Sequence, residues 1–197
     1  MSDAQWLADY FDRYRATLFG TDVCAQLIAL KARLVATSAQ QRKIVIAGNG
    51  GSAAIASHCA VDLTKNAKIR CVTFNEVNLV TCLANDFGYP WWLQKALEFY
   101  AEPGDLVILI SSSGRSPNLL NAARYAAANG LTVVTFTGFA PDNPLRALGA
   151  LNFWVESRAY NVVEMTHQIW LLAVCDLIIG KAEYPAAERP APAGVVG

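Results

Sequence analysis

Short apolar runs alternate with stretches of helical spacing over most of the chain. The runs at 43–47, 70–74, 105–110, 131–137 and 151–155 have the length and bounding Gly, Asn and Ser residues of buried strands. Between and after them, 52–66, 78–84, 91–100, 117–129, a short piece near 143–148 and a long segment at 161–179 read as helices. Two further helices, at 6–18 and 23–36, open the chain; the second carries Cys24, Leu27, Ile28, Leu30 and Leu34 close to helical spacing. Strands separated by helices imply right-handed crossovers and a parallel sheet covered on both faces. The expectation is an α/β fold: a doubly wound, five-stranded parallel sheet flanked by helices, a flavodoxin-like sandwich with N-terminal helices serving as a packing appendage or an oligomer interface. One domain over 1–182 and a loose Pro/Ala-rich tail over 183–197, which holds three of the eight prolines, complete it.

Composition narrows this picture. With 54% hydrophobic residues, the chain can bury a sizeable core. Sixteen basic and sixteen acidic residues cancel, and no basic run marks a track for nucleic acid. The first eighteen residues lack the charge order of a signal peptide, and no apolar stretch reads as long enough to span a bilayer, so a cytoplasmic protein is expected. Five cysteines without CxxC spacing read as buried free thiols.

Two loops carry candidate chemistry. The first strand ends in Gly48-Asn49-Gly50-Gly51-Ser52, directly before a helix. Glycines let the backbone approach a ligand, and the N–H groups of the helix start favour an anion. The dinucleotide fingerprint would need glycine where Ala53 stands. The third strand ends in Ser111-Ser112-Ser113-Gly114-Arg115-Ser116-Pro117, four hydroxyls and a guanidinium at a strand's carboxyl end. In an open α/β sheet ligands bind outside those ends, so the two loops can converge on one phosphate. The competing readings are turn geometry for the glycines and helix capping for one or two of the serines.

These motifs, with Ala-Asn-Asp-Phe-Gly-Tyr at 84–89 and Pro-Gly-Asp at 103–105, resemble the sugar isomerase (SIS) domain family, closest to its sedoheptulose 7-phosphate (phosphoheptose) isomerases. The resemblance implies a sugar-phosphate substrate, a homotetramer and active sites shared between subunits. It also implies phosphate binding by Ser52, Ser111, Ser112, Ser113 and Ser116 and by the Gly50–Gly51 turn, with Asn49, Asn85 and Asp86 near the sugar. It places His58 and, four residues on, an acid that here is Asp62 among the catalytic residues, which in many members hold zinc. The other two zinc positions align with Val163 and Leu171, which cannot hold a metal.

Isomerising an aldose and a ketose requires a base for a carbon-bound proton and groups that serve the two oxygens. The last helix offers Glu164 and His167, three apart and so neighbours across one turn. The expected reacting cluster is His58, Asp62, Glu164 and His167, with Glu164 or Asp62 as base; the same four are also an acceptable mixed metal-ligand set. Surface charge for the acids and a structural role for His167 are the competing readings. Arg158 reads as a loop charge or a contact to a neighbour's ligand, and Trp91 and Trp92 as core or interface anchors. Two other functions compete with the isomerase: a non-catalytic regulatory protein like the DnaA initiator-associating protein, and an isomerase for a different sugar phosphate.

Overall fold

The strand residues point alternately into two helix layers, which is why the strand segments read as unbroken apolar runs. A computed structural model describes residues 1–185, so 186–197 of the expected tail lie outside the described residues. Five parallel strands, β1 (Ile44–Gly48), β2 (Cys71–Val72), β3 (Leu106–Ser111), β4 (Thr132–Thr137) and β5 (Leu151–Trp154), form one sheet in the order β2-β1-β3-β4-β5. The helices are α1 (Asp3–Phe19), α2 (Cys24–Ala39), α3 (Gly51–Lys65), α4 (Val77–Phe87), α5 (Trp92–Tyr100), α6 (Pro117–Ala128) and α7 (Tyr160–Ile179). Ile44, Ile46, Ile108, Ile110 and Phe136 face α2, α3 and α7 in one core. Val45, Ala47, Val107, Leu109 and Val133 face α4, α5 and α6 in the other. The expected doubly wound architecture is the observed one, and the strand order reverses between β1 and β3. Their following loops therefore diverge and leave a crevice at the carboxyl edge.

Several boundaries moved for local reasons. Helix α1 starts at Asp3 because Ser2 accepts a hydrogen bond from the Gln5 amide. Helix α4 runs past the expected residue 84 to Phe87: Glu76 caps its start and Gly88, at φ +85°, ends it. Strand β2 has two residues rather than five, and the segment near 143–148 is a single 3-10 turn, Arg146–Leu148. Cys24 and Cys82 are exposed, against the expectation that all five thiols are buried; Cys59, Cys71 and Cys175 are buried. Helix α7 also corrects the reading that no stretch could span a bilayer, since its length and apolar character qualify. In the fold it packs on α2 and α3, burying Val163, Trp170, Leu171 and Val174.

The amino edge of the sheet is held by a buried carboxylate. Asp105, fully buried before β3, accepts from the Lys43 amide at 3.0 Å and the Glu102 amide at 2.8 Å. Its second oxygen also lies 2.6 Å from Lys43 Nζ. Burial of that charge is tolerable because it is paired and hydrogen-bonded.

Candidate active site

Strand β1 delivers Gly48 to the carboxyl edge, where the chain must turn at once into α3. Gly50 makes the turn at φ +55° and ψ −122°, which a side chain would resist, and it leaves the helix start without a side-chain cap. The Ser52 and Ala53 amides close onto the Asn49 and Gly50 carbonyls at 3.0 Å, so what the start of α3 offers an anion is the positive end of its dipole. Opposite, β3 ends at Ser111, and Gly114, at φ +63°, folds the serine loop back before Pro117 starts α6. Ser111 Oγ lies 3.3 Å from Ser116 Oγ and accepts from the Gly114 amide at 3.2 Å. Ser113 Oγ accepts from the Arg115 amide at 3.3 Å. Ser116 occupies the cap position of α6 but its side chain makes no capping bond, so capping does not account for that hydroxyl. Ser112 Oγ is buried with no hydrogen-bond partner.

The two loops converge. A cavity of about 120 Å³ is lined by Asn49, Ser52, Ser111, Ser112, Ser113 and Ser116, and closed from the side by Ile110, Tyr160 and Glu164. The buried Asn118 ties the loops together: it donates to Asn49 Oδ1 at 2.9 Å and accepts from Asn49 Nδ2 at 3.0 Å. The Tyr89 hydroxyl donates to Asn49 Oδ1 at 3.0 Å. Beyond Asn49 a second cavity, about 340 Å³, opens between α3 and α4; Ser57, Asn75, Thr81 and Tyr89 supply its polar groups and Trp92 part of its wall. The sequence reading missed Asn118, Tyr89, Asn75 and Tyr160. Asn118 stood beside the serine loop, but nothing in the sequence says that it faces Asn49.

Glu164 packs so closely on Gly51 that any side chain there would strike its carboxylate. Burial raises the Glu164 carboxyl above its ordinary range. The α7 positions that face the cavity are Tyr160 and Glu164; Val163, read by alignment as a lost ligand position, is buried in the core with Leu171.

The expected four-residue cluster does not assemble within the chain. His167 is fully buried, its Nε2 donating to the Thr137 carbonyl at 3.0 Å and its ring edge-on to Phe136. Burial pushes its pKa down to about 4, so the ring is neutral. At 60° from Glu164 around the helix, it falls on the core side, and this placement corrects its assignment to the reacting cluster. The α7 residue beside His58 is instead Gln168, with Nε2 2.7 Å from His58 Nδ1. His58 Nε2 lies 3.4 Å from Asp62 Oδ2, and Asp62 Oδ1 accepts from Asn66 at 3.1 Å. His58 and Asp62 line neither of the two cavities, and the His58 side chain is 53% exposed. Asn85 and Asp86 also line neither; they lie on the exposed face of α4, hydrogen-bonded to each other, because the helix runs through the segment expected near the sugar. Arg115 and Arg158 are exposed and the Arg115 guanidinium does not enter the cradle, while Trp92 is buried and Trp91 exposed.

The residues present do not fit the zinc centre that the resemblance implies. Among the described residues no group of three or more His, Cys, Asp or Glu side chains is arranged to hold a metal. Both nitrogens of His58 already face protein partners, and His167 is turned into the core.

Comparison with known proteins agrees with the fold. Residues 9–138 match the family model described as the SIS domain. A phosphoheptose isomerase from Bradyrhizobium sp. (strain BTAi1) is 36% identical over 124 residues, which span 60% of this chain and 63% of the relative's length. One from Burkholderia pseudomallei (strain K96243) is 33% identical over 150 residues, 73% of this chain and 76% of its own. A solved phosphoheptose isomerase from Francisella tularensis superposes with a TM-score of 0.85 at 21% identity, covering 92% of this chain and 100% of that one.

Proposed function

Because the chain belongs to the SIS domain family, we propose that it is a phosphosugar isomerase interconverting an aldose and a ketose phosphate, with sedoheptulose 7-phosphate as the leading substrate. The observation that carries this is the small cavity at the carboxyl edge. It joins an uncapped helix start to four serines, one with an unpartnered hydroxyl, and has the raised carboxyl of Glu164 in its wall. The helix start and hydroxyls suit a phosphate. A carboxylate partly withdrawn from water, with its pKa moved toward neutrality, suits removal of a proton from carbon. Glu164 is accordingly the base; Asp62, off the cavity, steadies His58.

The enzyme is read as cytoplasmic and as a homotetramer. The exposed apolar side chains of Met165, Ile169 and Leu177 along α7 and of Trp6 and Phe11 on α1 support cover by further copies. On this reading Asn85 and Asp86, exposed and off their own cavities, serve a neighbouring copy's sugar.

Incubation of the purified protein with sedoheptulose 7-phosphate, with and without a chelator, tests the proposal by the appearance of an aldose phosphate. Binding without turnover of any heptose or pentose phosphate would instead support a regulatory phosphosugar-binding protein.

A further inference from the structure

Among the described residues Asn49 alone lines both cavities of the carboxyl edge, the small phosphate cradle and the larger space between α3 and α4. We infer that Asn118, which lines neither, is a positioning residue that holds the Asn49 amide at this junction for the sugar end of a phosphosugar.

An asparagine amide has four hydrogen-bonding positions, two on its oxygen and two on its nitrogen. At Asn49 three are taken within the chain: two by Asn118, at 2.9 and 3.0 Å, and one by the Tyr89 hydroxyl at 3.0 Å. The count is the same whichever way the paired amides are turned, so one position remains for a ligand. Both side-chain hydrogen bonds of Asn118 go to Asn49. Asn118 is fully buried in the first turn of α6, whereas Asn49 is half-buried just after β1. The pair therefore ties a side chain that meets both cavities to one fixed in the interior. Tyr89, 51% exposed, closes the clamp from the segment after α4. A free asparagine would sample several rotamers at the junction, and ordering it would weaken binding; the clamp sets the amide before a ligand arrives.

The inference rests on the phosphosugar reading for its choice of ligand. A mere brace between the two loops would act on the whole cradle, phosphate included. A positioning residue acts through Asn49 alone.

The test uses the full-length protein. Without ligand, ¹⁵N relaxation of the Asn49 side-chain amide should give an order parameter of about 0.85, falling below about 0.6 in Asn118→Leu. That variant can fold, since water from the cavities can replace Asn118 at the half-buried Asn49. By calorimetry it should bind sedoheptulose 7-phosphate about tenfold more weakly, and inorganic phosphate within about twofold of the wild type. Tyr89→Phe, at an exposed position, should act in the same direction and less strongly. Asn49→Ala combined with Asn118→Leu should bind the phosphosugar no more weakly than Asn49→Ala alone. Losses that multiply in the double variant, an Asn49 amide that stays rigid without Asn118, or an equal loss for inorganic phosphate would overturn the inference. Failure of the wild type to bind sedoheptulose 7-phosphate would strike the phosphosugar reading, and the order parameters would still decide whether Asn118 positions Asn49.

Discussion

The two ends of the sheet are made by the same strands yet treat their polar atoms in opposite ways. At the amino edge Asp105 is fully buried and all its contacts are internal: two backbone amides and the Lys43 ammonium. At the carboxyl edge the start of α3 is uncapped, Ser112 Oγ is buried and unpartnered, and the Glu164 carboxyl is lifted by burial. A buried polar group with its partners in place stabilises the fold, while one without them is a standing cost that a ligand can remove. One edge is finished within the chain, and the other is finished by what it binds.

That contrast predicts separable effects. Asp105→Ala should lower stability by about 3–5 kcal/mol, read by denaturant melts, because it leaves two amides without their acceptor and the Lys43 ammonium with Glu102 alone, at 3.3 Å. Phosphate affinity of the protein that remains folded should not change. His167 lies on the functional side of the sheet but is closed off in the core, with Nε2 bonded to Thr137 and Nδ1 buried without a partner, and pH reveals it. Its pKa falls from 6.5 in the open chain to about 4 when folded. The neutral ring therefore contributes full stability above pH 6.5, and this is lost as pH falls toward 4. At ~1.4 kcal/mol per unit, the span amounts to about 3 kcal/mol. His167→Gln, which can still donate to Thr137, should flatten that acid limb in melts taken across the range. The smallest effect is expected from Ser112→Ala: binding of a phosphosugar, followed by calorimetry, should weaken about tenfold while the melting temperature holds or rises, since the lost hydroxyl had no partner. A drop in stability without a drop in affinity would move Ser112 to the finished class.

The layout of strands and helices was legible because the apolar runs and helical spacings are local signals, and the phosphate cradle because both its loops are contiguous in sequence. The chemistry around it was harder to read. Glu164, His167 and Gln168 occupy one turn and a quarter of α7, and which of them meets the cavity, the core or His58 depends on the rotation of that helix. An almost wholly apolar helix gives little periodic contrast to fix that rotation. Asn85 and Asp86 failed differently: α4 runs on to Gly88 through a segment that the family motif alone marked as sugar-binding.

The account stands most directly on Glu164 as the group that moves a carbon-bound proton beside an intact phosphate cradle. Incubation with sedoheptulose 7-phosphate in deuterium oxide measures that step by mass spectrometry, alongside calorimetric binding of the same ligand. The wild type should wash deuterium into carbon, and Glu164→Gln should bind the ligand nearly as well while exchange falls about 10²–10⁴-fold. Exchange at the wild-type rate in Glu164→Gln would contradict the account.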